Sequence, residues 1–290
     1  MKKFLPAVIV LIVIVIVASG GYFIYKTLKG GSSTVVSQNV SEEEKKEKAK
    51  QERAEQQDLL LEKLKVLFKQ QAPGASFSVA VYDLNNDEYF GFNDTKAQHA
   101  ASVSKVFTSV YTYYLSEQGK FSLTDILGAY NVETQIKYLI NQSNEPSWEL
   151  IDELIGRDPQ NKFAKSLGFA TVDLRLGKNI MSPKDATMLL VKLAKGEIIS
   201  EENRDKLFSY MQNTESENFF SPGFPQGTIF YHKTGKYLGE GHDNAYVAHP
   251  QNPFVLTVFS NNTAAPSLVG RGKVMTLVAQ EVYNYFDSLK

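Results

Sequence analysis

Three short segments carry the residues able to do chemistry. In Ala101-Ser102-Val103-Ser104-Lys105, a hydroxyl and an amine stand three positions apart at what reads as a helix start. Positions i and i+3 share a helix face, so the Lys105 amine is within reach of the Ser102 hydroxyl. A hydroxyl is a weak nucleophile until a base takes its proton, and a desolvated, neutral lysine is able to do so. The plain alternative is a helix-capping serine beside a surface lysine, and about one such pair arises by chance in a chain of this length. Ser143-Asn144-Glu145 lies in a turn between the helical stretch ending Tyr138-Leu139-Ile140 and Pro146. Lys233-Thr234-Gly235 follows a strand pattern over 228–232, where glycine lets a substrate backbone approach an edge strand. The chain has no Cys, which removes thiolate nucleophiles, disulfides and Cys-based zinc or iron–sulfur sites. Its four His, at 99, 232, 242 and 249, form no HExxH pair, which argues against a zinc hydrolase. His232 adjoins Lys233, but strand alternation turns its side chain to the opposite face, so it reads as structural. His99 reads as a loop or packing residue.

These segments need a scaffold to bring them together. Ser76 to Leu84 alternates as a strand, Asn85-Asn86-Asp87 turns, and Glu88 to Phe92 returns as its hairpin partner. Helical patterns dominate from about 102 to 215, with Gly119, Gly128, Gly156 and Gly168 as stops. Strand signals return at 228–233, 244–248 and 254–260, and 269–289 has helical period. The order predicts an α/β (α+β) fold: an antiparallel sheet flanked by N- and C-terminal helices, with an all-helical subdomain inserted.

The trio Ser-x-x-Lys, Ser-x-x, Lys-Thr-Gly, in that order, resembles the motif set of class A β-lactamases and their penicillin-binding relatives. The surroundings are similar too. Val79-Ala80-Val81-Tyr82-Asp83-Leu84 looks like the family's first core strand, and Met181-Ser182-Pro183-Lys184-Asp185-Ala186 like the helix after its active-site loop. The resemblance covers essentially all of 58–290 and implies a β-lactamase/DD-peptidase-like fold. It implies Ser102 as acyl-accepting nucleophile, Lys105 as its base or proton shuttle, and Ser143 as relay toward the leaving nitrogen. Lys233 and Thr234, with Gly235 between them and Lys236, would hold the substrate carboxylate. The backbone N–H groups of Ser102 and Lys236 would form the oxyanion hole. Ser and Lys supply this chemistry, so no cofactor or metal is expected.

Two departures bear on activity. The middle motif reads Ser-Asn-Glu where the family usually has Ser-Asp-Asn. Asn144 for Asp keeps the shape, but Glu145 places a carboxylate near Lys105, which favours the charged amine. Glu145 thus either restrains Lys105 or serves as a replacement base. The family's loop Glu, which activates the deacylating water, is also missing: the span from Gly168 to Asn179 holds no Glu, and Glu149 and Glu153 come too early. Slow deacylation is therefore expected.

Lys+Arg (31) and Asp+Glu (32) give a net charge of −1, which argues against nucleic acid as a partner. After Lys2 and Lys3, residues 4–24 are almost wholly apolar, long enough to cross a bilayer core of roughly 30 Å. A retained anchor over residues 1–29 with an extracytoplasmic domain is expected; cleavage after Val17-Ala18-Ser19 is the alternative. Residues 30–57 read as a charged linker, with Ser41 and Glu44 as a capping box, and 58–290 as the folded domain. The leading expectation is an anchored serine acyl-hydrolase acting on a β-lactam or a D-Ala-D-Ala-like peptide. The other is an impaired relative that binds cell-wall peptide or a protein partner.

Overall fold

The computed structural model describes residues 41–261 and 268–289, so the expected membrane segment lies outside the described residues. No helix among the described residues is long and apolar enough to cross a membrane. The chain divides into two compact units, residues 1–46 and residues 47–290. In the first, the capping box forms as the spacing predicts. Ser41 Oγ accepts from the Glu44 N–H at 3.2 Å, and the Glu44 carboxylate accepts from the Ser41 N–H at 2.8 Å.

Helix α1 (Glu42–Gln71) runs past residue 57, where the linker was expected to end. Arg53 reaches Glu88 at 2.7 Å, and the buried Gln57 amide donates to the other Glu88 oxygen at 2.8 Å. Apolar periodicity starts only at Leu60, so it misses a turn that polar bonds dock. Leu60, Leu61, Leu64 and Phe68 then bury the helix against the sheet, with the Phe68 ring stacked on Phe77.

The sheet has five antiparallel strands in the order β2-β1-β9-β8-β7: β1 (Ser76–Asp83), β2 (Glu88–Phe92), β7 (Phe230–Tyr237), β8 (Glu240–Val247) and β9 (Phe254–Asn261). Alternation along β9 divides two cores. Phe254, Leu256 and Val258 join α1 and the C-terminal helix α8 (Leu268–Ser288), while Val255 and Phe259 join the helical block. Strand β8 begins at Glu240 rather than Asn244 because its first half is polar yet buried. His242, Asp243 and Asn244 are satisfied by hydrogen bonds there, and apolar alternation cannot register them. Leu238 (φ 38°) and Gly239 (φ 90°) make the two-residue connection between β7 and β8, both in the left-handed region that such hairpins require.

The inserted block holds α2 (Lys105–Glu117), α3 (Val132–Asn141), α4 (Glu145–Ile155), α5 (Arg157–Ser166), α6 (Pro183–Ala194) and α7 (Glu201–Tyr210). It is not all-helical as expected: β4 (Ile126–Leu127) pairs with β5 (Tyr130–Asn131), and β6 (Ile180–Met181) pairs with β3 (Gln98–His99). Two-residue ladders are too short to show a period of two. The block packs on one face of the sheet, and β7 forms the sheet's edge strand.

The docking of α1 through Arg53 is open to a direct test. Arg53→Ala strips the part-buried Glu88 of its charged partner, and by the scale of charge-assisted bonds should cost about 1–2 kcal/mol in urea unfolding. A loss under a few tenths of a kcal/mol would return residues before 58 to the linker.

Candidate active site

The nucleophile candidate sits on a strained turn. Ala101–Ser104 forms one turn of 3₁₀ helix leading into α2, and Ala101 lies at φ 46°. A non-glycine residue there costs of order 1–3 kcal/mol and persists only when its surroundings over-determine it. Asn179 supplies that constraint. Its amide nitrogen donates to the Ala101 carbonyl at 2.9 Å, its side-chain oxygen accepts from Ser104 Oγ at 2.6 Å, and its own carbonyl accepts from the Ala100 N–H at 2.9 Å. Ser102 is left half-buried at the top of the turn.

Edge strand β7 packs directly on this turn. A Cβ at Gly235 would meet Ala101 Cβ at 3.0 Å, the Ala100 carbonyl at 3.1 Å and the Ser102 nitrogen at 3.1 Å. The glycine was expected to open the strand to a substrate backbone. The structure shows that it makes room for the nucleophile turn, and this sets the Ser102 backbone beside the position that precedes Lys236.

The three motifs meet at two ammonium groups. Lys105, the first residue of α2, is fully buried. Its Nζ donates to the Ser143 carbonyl at 2.7 Å, Ser143 Oγ at 3.3 Å and Glu145 Oε1 at 2.5 Å. Lys233 Nζ donates to the same Ser143 Oγ at 3.1 Å and to the Thr234 carbonyl at 3.0 Å. Ser143 presents both its oxygens by adopting φ 54°, and Asn144 then caps α4, accepting from the Ser147 N–H at 2.9 Å. Among the described residues, Lys105 makes no hydrogen bond to the Ser102 hydroxyl in this arrangement. Three contacts already use the three N–H groups of an ammonium.

Burial governs the protonation of both lysines. It pulls Lys105 below the usual amine range, and the Glu145 carboxylate only partly offsets it. Glu145 acts in the direction expected of it, toward the charged amine, but desolvation is the larger effect. Burial and then the charge of Lys105 bring Lys233 down to about 7. Glu145 is itself 64% exposed, so the buried ammonium of Lys105 is closed by a carboxylate that water reaches.

Behind β7, His232 faces away from Lys233, as alternation predicts. Its ring lies 3.1 Å from Asp243 Oδ1 and 3.1 Å from Glu217 Oε1. Burial disfavours the imidazolium, but Asp243 and Glu217 outweigh it and hold the ring at about 9. Asp243 also accepts the Phe220 N–H, and Lys236 Nζ bonds Ser216 and Asn218, so this cluster ties the 214–220 segment to the edge strand. His99 pairs with Glu240 at 2.7 Å, and its carbonyl accepts from the His242 ring.

Two residues at the site were not singled out from the sequence. Asn179 had only the tolerance of asparagine for left-handed backbone to mark it. The Trp148 ring lies 4.9 Å from Lys105 Nζ, and its one signal was a spacing of three from Glu145 on α4. In the loop from Gly168 to Asn179 the acid is Asp173, which Arg175 engages at 2.7 Å. No cluster of His, Cys, Asp and Glu suited to a metal ion is found among the described residues.

A family model described as the beta-lactamase enzyme family matches residues 59–286. No match was found among curated protein sequences. Solved structures with a similar fold include a mutant of PBP-A as an acyl-enzyme complex with penicillin G. It has a TM-score of 0.74 and 20% identity, covering 80% of this chain and 97% of that one. Another is an ancestral class A β-lactamase, with a TM-score of 0.73 and 21% identity over 78% of this chain and 100% of that one.

The rear cluster makes a prediction with a definite sign. The folded pKa of His232 is raised from 6.5 to about 9, so its stabilisation is complete below pH 6.5 and is lost as pH rises through about 9. In urea unfolding, the stability lost in His232→Gln should be largest below pH 6.5 and shrink as pH rises through about 9; Lys233, held at about 7, adds the opposite slope to both proteins and cancels in the difference. An NMR titration of the His232 ring near 6.5 would contradict the ion cluster.

Proposed function

The chain belongs to the beta-lactamase enzyme family, and from that premise we propose that it is a serine acyl-hydrolase whose Ser102 forms an acyl-enzyme. The acyl donor is a β-lactam or a D-Ala-D-Ala-like peptide. The observation that carries this reading is the sharing of one hydroxyl, Ser143 Oγ, by Lys105 and Lys233 beside the strained Ser102 turn. Lys105 in its neutral form has two N–H groups and a lone pair, so one of its three contacts must lapse. The longest, to Ser143 Oγ, is the natural one to give up. The lone pair then takes the Ser102 proton as Oγ attacks the carbonyl carbon. Lys105, charged again, returns to Ser143 Oγ and hands it that proton as Ser143 passes its own to the departing nitrogen, while Lys233 and Thr234 hold the substrate carboxylate. The N–H groups of Ser102 and Lys236 receive the developing oxyanion.

Water must then cleave the ester. General-base help is worth typically 10²–10⁴-fold, and the loop offers only Asp173, already engaged by Arg175. The acyl-enzyme therefore outlives its formation by a wide margin. Glu145 acts as a restraint on Lys105 rather than as a second base, in keeping with their 2.5 Å contact. The same saturated contacts, with none to Ser102, support a second reading in which the cleft binds a wall peptide without chemistry.

The apolar run of residues 4–24 supports an anchored protein with its catalytic unit outside the membrane. Resistance to carbonate extraction is the expected behaviour, and release by salt would contradict it.

A fluorescent penicillin tests the reaction. Labelling of Ser102 in the wild type, abolished in Ser102→Ala with the fold intact, is expected. Unchanged labelling in that variant would overturn the assignment of the nucleophile, and no labelling of the wild type would favour the binding protein. In Glu145→Asn, Lys105 loses its carboxylate, so acylation at neutral pH should speed up while the adduct still lingers. Acylation that survives with a lengthened adduct lifetime would instead make Glu145 the replacement base.

A further inference from the structure

A buried hydrogen-bond chain ends at the ring that faces Lys105. The Trp148 indole N–H donates to Thr108 Oγ1 at 3.2 Å, and Thr108 Oγ1 donates to Gln160 Oε1 at 3.0 Å. Gln160 Nε2 then donates to Asp152 Oδ1 at 2.7 Å, and Arg157 closes the far end at 2.8 Å from Asp152. Thr108 and Gln160 are fully buried, and Asp152 nearly so. The polarity of the chain is dictated from that end. An ionised carboxylate only accepts, so Gln160 must turn its NH₂ toward Asp152 and its oxygen toward Thr108. Thr108 must then donate its single proton to that oxygen, which leaves a lone pair for the indole N–H. Each partner thereby has one orientation, and the Trp148 ring has one position.

That ring lies 4.9 Å from the Lys105 ammonium, and Glu145, three residues earlier on α4, meets the same ammonium. The charged groups facing Lys105 are Glu145 and, across Ser143, Lys233. Neither the tryptophan nor its tether belongs to the three motifs.

We propose that Trp148, tethered through Thr108 and Gln160 to Asp152, is a positioning residue that holds the Lys105 ammonium against its ring face. It thereby sets the pH at which the amine becomes neutral. A cation over an indole face is attracted by the ring quadrupole, more so when water is excluded. The ring favours the charged amine against the burial that disfavours it, as Glu145 does from the other side. The consequence for acylation rests on the reading of Lys105 as the base for Ser102; the contact itself does not.

The test is an NMR titration of the Lys105 side chain in full-length protein carrying ¹³Cε-lysine, with the signal assigned by its loss in Lys105→Met. Trp148→Leu should lower the Lys105 midpoint by about half to one pH unit, the scale of one cation–π contact. Thr108→Val removes the tether and should lower it by less, and Thr108→Ser, which keeps the hydroxyl, should restore the wild-type midpoint. The Thr108 pair decides the matter even if Trp148→Leu fails to fold. An unmoved midpoint in Thr108→Val, or one as low in Thr108→Ser as in Thr108→Val, would overturn the proposal. The pH profile of penicillin labelling should shift in the same order. If Ser102 takes no label in any form, the acyl-enzyme reading falls while the titration still decides the positioning role.

Discussion

Lys105 and Lys233 bring two ammonium groups into the protein against a single serine hydroxyl, and the carboxylate that touches Lys105 stands mostly in water. Taking an ion out of water costs several kcal/mol unless hydrogen bonds and opposite charge restore it. Here the restoring groups come from three separate elements. Ser143 offers its carbonyl and hydroxyl from a left-handed turn, Glu145 sits on the first turn of α4, and Thr234 adds its carbonyl from β7. Each element must be in place for either lysine to be tolerated. The packing of helical block, strained turn and edge strand serves that need.

The cost of this arrangement appears as lowered basicity, which is what a lysine base requires. Glu145 works against that lowering without cancelling it, and on the proposed function it thereby tunes the first chemical step. It offers nothing comparable to the second. On the proposed acyl-enzyme reading, such a site makes its ester more readily than it breaks it, a balance closer to a penicillin-binding protein than to an efficient lactamase. The fold likeness is compatible with either, since PBP-A and an ancestral class A β-lactamase superpose on this chain about equally well.

Much of this was legible in the sequence because its signals are local. The spacing in Ser102-x-x-Lys105, the turn at Ser143 and the strand leading into Lys233 each depend on a few neighbouring residues. Apolar patterning sufficed for β1 and β9, where hydrocarbon side chains predominate on both buried faces. It failed for the start of β8, where His242, Asp243 and Asn244 are buried as a bonded set, and for the early turns of α1, docked by Arg53 and Gln57. The packing of Gly235 was hidden for a related reason: what crowds it is a turn more than a hundred residues away in sequence. Asn179 and Trp148 act through contacts across the fold that no spacing rule encodes.

If Ser102 acylates and the ester then stalls, as proposed, intact-mass spectrometry of the wild-type protein after mixing with benzylpenicillin reads both steps at once. The expected product is a protein heavier by one whole penicillin, carried on Ser102 and persisting long after free drug is removed. Unmodified protein accompanied by stoichiometric excess of hydrolysed penicillin would contradict it.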